Sequence, residues 1–382
     1  MRSGEINQLA ALGGDEYLAE LMASVPTALN AEGYARLVQD RSVRRTMLAA
    51  AGDVARLAFD TSMDIDRVRE ASLTLWTGAI DTGGGADPRT LTNVMGEFYK
   101  RVSDIHDGTI STLGTPTGFV DLDKVTRGLH GGDLTLVAAR PGMGKSVLVG
   151  DLVSHVGLKL KKRVALFSLE MGRLDMAARL AARYGDIDYG RLRDGEIKTD
   201  DEWAQLVRTV QAMSVDHVWI DDTPTLSVLD VRSKARKLHA QHGLDLVIVD
   251  YLQFLTSAQR MERRDMEVEE MGKGLKTLAR ELNCHVLAPT QVSRRVEERA
   301  DKRPVLSDMR EGGNQEGNAD VVLGLYREAY YTKDENKLRE MGVNANTAEV
   351  LVLKNRHGPA LNVHLGFDGG RQRFYNLERV KA

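Results

Sequence analysis

The chain has little of what marks several classes of protein. Its 382 residues include one cysteine, Cys284, which excludes a disulfide framework and any zinc module that needs several thiolates. No apolar run is long enough to span a bilayer and the N-terminus lacks a signal-peptide pattern, so we expect a cytoplasmic protein without membrane contact. The formal net charge of −3 excludes a broad basic surface, so any contact with nucleic acid must be local.

The residues that are present have the composition of a globular protein, with 42% hydrophobic and 28% charged side chains. At this length we expect two or more domains, each with its own core. Residues 1–80 are predicted to form an all-helical N-terminal segment, residues 81–110 a flexible joint and a linker helix, and residues 111–382 an α/β domain. The linker helix, over Thr90–His106, has an apolar stripe that must pack on its own core or on a neighbouring subunit.

Apolar periodicity predicts four helices in the N-terminal segment. One is ended by Pro26, one opens at Tyr34, and two cover Arg45–Phe59 and Ile65–Trp76. From Gly118 onward, apolar runs alternate with amphipathic helices, which is typical of a mostly parallel sheet. The predicted parallel strands are Leu134–Ala138, Val164–Ser168, His217–Ile220, Leu244–Asp250 and His285–Pro289. Three later runs are more closely spaced and predict an antiparallel extension, over Ala319–Tyr326, Glu349–Lys354 and Leu361–Phe367.

A phosphate-binding loop is predicted directly after the first strand, in Ala139-Arg140-Pro141-Gly142-Met143-Gly144-Lys145-Ser146. A strand that leads through a glycine-rich turn into a helix surrounds an anion with backbone N–H groups. Gly142 and Gly144 allow close approach of the backbone, Lys145 can reach the β- and γ-phosphates, and the Ser146 hydroxyl can ligate Mg²⁺. The motif usually has glycine where this chain has Ala139, and alanine fits there if its φ angle is ordinary. The segment predicts a site for a nucleoside triphosphate.

Two carboxylates are predicted beside this loop. Asp250 ends an apolar strand and can hold the hydrated Mg²⁺, although a strand-terminal aspartate is also common as a simple cap. Glu170 follows the strand after the loop helix and can polarise the attacking water as a general base. The alternative for Glu170 is an acidic residue that interacts favourably with a helix N-terminus. Arg179, in the next helix, can return toward the phosphates or remain a solvated helix residue.

Three further polar segments admit a functional and an ordinary interpretation. Gln291 ends a strand, where its amide can sense the γ-phosphate or be an ordinary polar strand end. The segment Val292–Gly317 predicts loops of mixed charge, whose glycines can offer N–H groups to phosphates. Lys354 and Arg356 lie at a strand end before a turn. Such cations usually improve solubility, but in an oligomeric NTPase they can reach the γ-phosphate of the neighbouring subunit.

Together these motifs resemble the DnaB-type replicative helicases, which are hexameric ATPases of the RecA-like class. The resemblance extends from about residue 111 to the C-terminus and includes the alanine in the phosphate loop. It rests on Thr117-Gly118-Phe119, Ala139–Ser146, Phe167–Met171, Ile220–Pro224, Val249–Gln253, Leu306–Glu311 and Lys354-x-Arg356-x-Gly358-Pro359. Residues 8–80 resemble only the later part of the family's N-terminal domain. The N-terminal domain is therefore expected to be shortened, either because the chain is truncated or because the protein is naturally short.

This resemblance implies an ATP-dependent DNA helicase that moves along single-stranded DNA as a homo-hexamer. It implies ATP and Mg²⁺ as ligands, and a primase and a helicase loader as partners. The family's motifs assign γ-phosphate contact to Arg179, coupling to the DNA loop to Gln291, and action in trans to Lys354 and Arg356. The DNA-contacting positions that the resemblance implies are Arg310, Glu311 and Gly313.

Two other functions share much of this pattern. A RecA-type recombinase has the same ATPase core but forms an open filament on DNA, and the helical N-terminal segment argues against it. A ring-forming interaction protein could bind ATP with little turnover, and the presence of Glu170, Asp250 and Arg356 argues against that. We therefore expect a RecA-like α/β ATPase domain that follows a small all-α segment and a linker helix.

Overall fold

The computed structural model describes residues 31–80, 90–107, 113–255, 264–312 and 315–377. The chain divides into two compact units, Met1–Lys100 and Arg101–Ala382. The domain boundaries predicted at residues 80 and 110 stay a prediction. The predicted helix that ends at Pro26, the joint over Thr82–Pro88, and Gly313 all lie outside the described residues.

Three helices are described before the α/β domain: α1 (Ala31–Phe59), α2 (Ile65–Ile80) and the linker helix α3 (Leu91–His106). The helices predicted from Tyr34 and over Arg45–Phe59 are one continuous helix, so the predicted break between them is wrong. No proline or glycine lies between residues 34 and 45, and the charged residues there continue the helix on its exposed side. The predicted helices over Ile65–Trp76 and Thr90–His106 are confirmed as α2 and α3.

The rest of the chain alternates helices with strands. The helices are α4 (Val120–Thr126), α5 (Lys145–Leu152, continued by a π-helix over Val153–Lys159), α6 (Arg173–Tyr184), α7 (Tyr189–Arg193), α8 (Asp200–Met213), α9 (Val228–His242), α10 (Arg264–Leu282), α11 (Gln315–Asn318), α12 (Glu328–Tyr331) and α13 (Glu335–Glu340). The strands are β1 (Leu134–Ala139), β2 (Val164–Ser168), β3 (Val218–Asp221), β4 (Leu246–Asp250), β5 (His285–Gln291), β6 (Val321–Tyr326), β7 (Thr347–Asn355), β8 (Asn362–Asp368) and β9 (Arg373–Asn376). Between β5 and β6, the predicted loop region contains short 3₁₀ helices over Arg294–Glu298 and Leu306–Gly312.

These strands form one nine-stranded sheet in the order β3-β2-β4-β5-β1-β6-β7-β8-β9. All pairings from β3 to β6 are parallel, and the pairings from β6 to β9 are antiparallel. The mostly parallel sheet with an antiparallel extension is therefore confirmed. The assignment of the run Ala319–Tyr326 to the extension is half wrong, because β6 pairs in parallel with β1 and only its other edge is antiparallel.

Alternate residues of the central strands face two separate cores. One face of the sheet packs on α5 and α6, with Val137, Leu166 and Ile248 among its buried residues. The other face packs on α9 and α10, with Leu136 and Val249 among its buried residues. Each fully buried side chain of this size contributes about 1.5–3 kcal/mol relative to an exposed one. A sheet that is covered on both faces holds its strand ends rigidly, which is what a site built from strand ends needs.

A buried histidine ties two central strands together and predicts a pH dependence of stability. His285 opens β5, and its ring nitrogens contact the His130 carbonyl at 2.9 Å and the Thr135 hydroxyl at 3.0 Å. Complete burial lowers the pKa of His285 from 6.5 to about 4. Between these two pH values only the unfolded chain binds the proton, so the folded state loses stability as the pH falls.

We expect the free energy of unfolding to drop by up to about 3 kcal/mol from this residue between pH 6.5 and pH 4. Urea unfolding at both pH values should give a smaller pH-dependent drop for His285→Gln than for the wild type. The same substitution at the exposed His364 is the control. Equal pH dependence in wild type and His285→Gln would contradict this assignment.

None of the helices that the structure describes combines the length and the apolar character that crossing a membrane requires.

Candidate active site

Four neighbouring strands end at the same edge of the sheet and bring the predicted nucleotide residues together. In the parallel register, Ser168 of β2 lies opposite Asp250 of β4, and Ala139 of β1 lies opposite Gln291 of β5. Glu170 follows β2 directly, and the backbone N–H of its neighbour Leu169 donates to the Asp250 carbonyl at 2.8 Å. Because carboxyl ends of parallel strands form the ligand crevice of such sheets, this edge is the candidate active site.

The loop between β1 and α5 has the conformation that anion binding requires. Gly142 has φ +78° and Gly144 has φ +104°, a region that residues with a side chain rarely adopt. Ala139 is the last residue of β1 in extended, paired backbone, so the expectation that it needs no glycine is confirmed. Gly144 precedes α5 without a side-chain cap, which leaves the helix N-terminus to an external acceptor.

Aromatic side chains lie against the two loop glycines, and the sequence patterns did not identify them. A Cβ atom added to Gly142 would lie 2.6 Å from the Tyr330 ring, and one added to Gly144 would lie 2.9 Å from the Phe374 ring. Phe374 also contacts Phe367, whose ring is 3.5 Å from the Arg327 guanidinium. Glycine is therefore favoured at both positions by φ, and a side chain there would also displace the neighbouring ring. In the sequence these aromatic residues lie about 190 to 230 positions after the loop glycines that they contact, too far away for a local pattern to indicate the contact.

The remaining loop side chains have structural partners. Arg140 donates to the Glu297 carboxylate at 2.8 Å and to the Val292 carbonyl at 3.2 Å, which ties the loop to the chain after β5. Met143 is buried in the core. Arg140 and Met143 can therefore contribute to a phosphate site through their backbone N–H groups, whereas Pro141 is exposed and has no N–H to donate.

Lys145 is held inside its own loop. Its Nζ donates to the carbonyls of Ala139 at 3.1 Å and Arg140 at 3.4 Å. Burial lowers the pKa of Lys145 to about 8, while the charges of Asp250 and Glu170 act in the opposite direction. The three charged groups are thus close enough to influence one another, as the predicted site requires.

Asp250 is a buried carboxylate whose oxygens lack ordinary partners among the residues that the structure describes. Both of its oxygens are shielded from solvent, and within the described ranges neither has a hydrogen-bond partner of ordinary geometry. Burial raises the pKa of Asp250 to about 6, and repulsion from Glu170 acts in the same direction, whereas Ser146, Lys145 and Arg179 lower it. A buried carboxylate in this condition is stabilised when a cation binds.

The same edge fits a hydrated Mg²⁺ ion. Magnesium is usually bound by one or two carboxylates together with phosphate oxygens and waters, so a cluster of several acidic ligands is not needed. Among the described residues no group of three or more potential metal ligands occurs, and Asp250 beside the Ser146 hydroxyl suits the magnesium arrangement. The donor set is hard oxygen, which this ion prefers.

The Arg179 side chain and the backbone carbonyl of Gln291 both have partners in the structure. The Arg179 guanidinium donates to the Gln372 side-chain oxygen at 2.9 Å and lies 5.2 Å from the centre of the Tyr189 ring. Gln253, just after β4, donates to the Thr290 hydroxyl at 2.7 Å and to the Gln291 carbonyl at 3.2 Å. Gln253 therefore connects the end of β4 to the end of β5.

Lys354 and Arg356 lie at the opposite end of the strands, away from the phosphate loop. Because β7 runs antiparallel to β6, the pair Val322–Lys354 lies at the N-terminal end of the parallel strands. Arg356 forms an ion pair with Asp320 at 2.9 Å, and Asp320 also accepts from the backbone N–H of Leu134, the first residue of β1. The length of β1 separates Arg356 from the phosphate loop by about 20 Å. Neither cation can reach the phosphate loop of its own chain.

The predicted DNA-contacting residues are only partly described. Arg310 and Glu311 belong to the 3₁₀ helix over Leu306–Gly312, in which Met309 is buried in the core. The backbone N–H of Ser293, two residues after β5, donates to the Asp308 carbonyl at 3.1 Å. The 3₁₀ helix is therefore linked to the strand end that carries Gln291.

The fold and this edge define the class of protein. A phosphate loop after the central strand, a buried strand-end aspartate and an exposed glutamate after the neighbouring strand are the arrangement of a RecA-like P-loop ATPase. Residues 114–376 match the family model of the DnaB-like helicase C-terminal domain. The chain belongs to the DnaB-like replicative DNA helicases, which are ATP-dependent enzymes.

Comparison with known proteins supports this membership along most of the chain. The chain is 37% identical to the replicative DNA helicase DnaB of Geobacillus stearothermophilus, over 97% of this chain and 80% of that protein. It is 36% identical to the replicative DNA helicase DnaC of Bacillus subtilis (strain 168), with the same coverage of 97% and 80%. A solved DnaB-like replicative helicase, described with its interactions with primase, superposes with a TM-score of 0.71 at 30% identity, over 99% of this chain and 86% of that one.

Proposed function

We propose that this chain is the motor subunit of a homo-hexameric ring that hydrolyses ATP with Mg²⁺, moves along single-stranded DNA and unwinds duplex DNA during replication. The observation that carries the proposal is that the residues needed for hydrolysis lie at opposite ends of the strands of the sheet. Lys145, Glu170 and Asp250 converge at one edge, and Lys354 and Arg356 lie at the other. Each complete site then needs two chains.

In this proposal the residues of one chain have distinct tasks at the triphosphate. The N–H groups of the phosphate loop and Lys145 bind the β- and γ-phosphates, and Arg179 binds the γ-phosphate. The Glu170 carboxylate accepts a proton from the attacking water. Asp250 and Ser146 would hold Mg²⁺, which supplies charge neutralisation on the phosphate oxygens.

The neighbouring chain completes the site with Arg356 and Lys354. Arg356 in the isolated chain is paired with Asp320 and about half exposed, so its guanidinium can exchange a carboxylate for a phosphate partner. The loop that carries it is held by His357, which contacts Asp133 and stacks on His130 at 4.3 Å. Lys354 donates to the Glu316 carbonyl in α11, just after the predicted DNA segment. These contacts support communication between the DNA segment and the neighbour's nucleotide.

Loss of the γ-phosphate is proposed to reach DNA through the end of β5. Gln291 senses the phosphate, and the Ser293–Asp308 hydrogen bond transmits its movement to the 3₁₀ helix that carries Arg310 and Glu311. Contact with DNA phosphates along one strand does not need a basic surface, which agrees with the net charge of −3. A primase and a helicase loader are proposed as protein partners on the basis of the family.

The direct test is unwinding of a forked duplex by the purified protein with ATP and Mg²⁺. We expect strand separation by the wild type and none by Lys145→Ala, which removes the phosphate contact. Electron microscopy with ATP and single-stranded DNA should give closed six-fold rings. Helical filaments on DNA would contradict the proposal in favour of a recombinase, and rings without ATP turnover would favour an interaction protein.

Assembly of the ring is proposed to use the exposed face of the linker helix α3. Its apolar residues Leu91, Val94, Met95, Phe98 and Val102 are 44–74% exposed and follow helical spacing. A second exposed apolar stripe occurs on α8, at Trp203, Val207 and Val210. The stripe on α3 of one copy can pack on the stripe on α8 of the next copy, because burial of both apolar surfaces from water is favourable.

We expect Phe98→Asp to shift the protein from hexamers to smaller species at micromolar concentration. Removing the phenyl ring that the proposed interface buries costs about 1.5–3 kcal/mol per interface, and the new carboxylate adds a desolvation cost. Native mass spectrometry or light scattering measures the assembly. Asn93→Asp adds the same charge on the polar side of α3 and should leave hexamers intact. Hexamers in both variants would exclude this face from the interface.

A further inference from the structure

The turn between β8 and β9 contains a glutamine that binds two arginines of α6 at once. The side-chain oxygen of Gln372 accepts from Arg179 Nη1 at 2.9 Å. Its backbone carbonyl accepts from Arg183 Nε at 3.1 Å and also from Arg183 Nη2. The two arginines are four residues apart, so they lie on the same face of the helix. The turn therefore clamps one face of α6.

The backbone of Gln372 is anchored independently of Arg179. The Arg183 side chain is only 3% exposed and forms an ion pair with Asp151 at 3.5 Å. Asp151 also accepts from the backbone N–H of Phe374 at 2.8 Å, which fixes the strand just after the glutamine. The amide nitrogen of Gln372 donates to the Gly369 carbonyl at 2.7 Å, so the orientation of the amide is set within the turn.

This anchored amide contacts a cation on a helix next to the candidate active site. Helix α6, which carries Arg179, begins three residues after Glu170, and its Met176 and Leu180 pack in the same core as the loop helix α5. A neutral amide oxygen holds one guanidinium nitrogen without cancelling the charge, whereas a carboxylate would cancel it. A long arginine side chain that is held in one place also loses less rotamer entropy when a phosphate binds.

We infer that Gln372 is a positioning residue that holds Arg179 in place for the γ-phosphate, and so links the β8–β9 turn to ATP hydrolysis. The inference rests on the proposed function, in which Arg179 contacts the γ-phosphate. Gln372 acts only through Arg179 and does not touch the nucleotide. Its loss therefore affects ligands that have a γ-phosphate and leaves ADP binding unchanged.

The test is a double-mutant cycle in the full-length protein with single-stranded DNA. Gln372→Ala is expected to lower kcat for ATP about three- to tenfold, the effect of losing one hydrogen bond of typical net strength. In the Arg179→Ala background the same substitution should change kcat less than twofold, because its target is gone. Affinity for ATPγS should fall about threefold in Gln372→Ala, and affinity for ADP should stay the same.

A second variant separates this role from a purely structural one. Gln372→Glu keeps the size of the side chain and the backbone contact to Arg183, although it loses the donation to the Gly369 carbonyl. Its carboxylate neutralises Arg179 and should lower kcat at least as much as alanine does. The matched control is Arg371→Gln, at the neighbouring position, where the side chain pairs with Asp186 and Asp368 on the surface. Surface pairs of this kind contribute little, so kcat should stay within about twofold of the wild type.

The outcomes distinguish this inference from the proposed function. Wild-type kcat in Gln372→Ala together with a slow Arg179→Ala would overturn only the role of Gln372. An equal effect of Gln372→Ala in both backgrounds would overturn it too, since the residue would then act through the fold. A wild-type protein without DNA-stimulated ATPase activity would instead contradict the proposed function itself.

Discussion

A Glu170→Gln variant is expected to bind ATP and DNA and to hydrolyse ATP about 10²–10⁴ times more slowly than the wild type. Glutamine keeps the shape of the side chain but cannot accept a proton from water. Glu170 is exposed after β2, and its charge opposes the lowering of the Lys145 pKa by burial and adds to the raising of the Asp250 pKa. It therefore lies within the field of the phosphate site without being part of a buried ion pair.

Nucleotide binding should survive this substitution for an electrostatic reason. Repulsion by Glu170 helps to raise the pKa of Asp250, so a neutral glutamine leaves Asp250 easier to ionise and no less able to hold a cation. Phosphate release with and without single-stranded DNA measures turnover, and binding of a fluorescent ATP analogue measures affinity. A purely structural role at the N-terminus of α6 would lower stability and leave the rate per folded ring unchanged.

The control for Glu170→Gln is Asp175→Asn. Asp175 is an exposed acidic residue in the first turn of α6, so its substitution removes the same charge from the same helix end. We expect Asp175→Asn to hydrolyse ATP at nearly the wild-type rate. If the two variants are equally active, Glu170 is not the general base.

The second large effect is expected from Arg356→Ala, which should lower ATP hydrolysis by about 10³-fold or more, the range measured for arginine fingers in other NTPases. The reason is that negative charge on the γ-phosphate in the transition state is neutralised by Arg356 of the neighbouring chain. Stability should change little, because Arg356 is about half exposed and Asp320 keeps its second cation, Lys276.

Mixed rings test whether Arg356 acts in trans. Arg356→Ala and Lys145→Ala are each expected to be nearly inactive alone. Mixed in equal amounts, they restore roughly a quarter of the head-to-tail interfaces, those that combine an intact Lys145 with the neighbour's intact Arg356. Mixing either variant with the double variant should restore nothing. Absence of recovery in the first mixture, with mixed rings demonstrated by mass spectrometry, would contradict action in trans.

The phosphate loop, Asp250 and Glu170 could be predicted from sequence because each lies next to its own strand. An apolar run that ends in a carboxylate or in a glycine-rich turn can be recognised from neighbouring residues alone. In a parallel sheet the C-terminal ends of the strands then lie side by side. The pairing of β6 was misassigned because strand spacing along the chain does not reveal which neighbour a strand pairs with. The continuous α1 was divided because local apolar spacing is weak along its exposed middle.

The residues that sequence patterns missed all act across long separations. Gln372 contacts Arg179 across a sequence separation of 193 residues, and Glu297 contacts Arg140 across 157. Tyr330 and Phe374 approach the loop glycines from α12 and β9, two elements that no motif marks. Contacts of this kind depend on the tertiary fold, and nothing local in the sequence encodes them.

The reversal of direction between β6 and β7 has a consequence for any assembly of this chain. It gives each subunit a donor end, with Arg356, and an acceptor end, with the phosphate loop. An open chain of subunits then always contains one acceptor end that no donor serves, so it has one fewer working site than it has subunits. Only circular closure makes the two numbers equal, and the last subunit to join completes two sites at once.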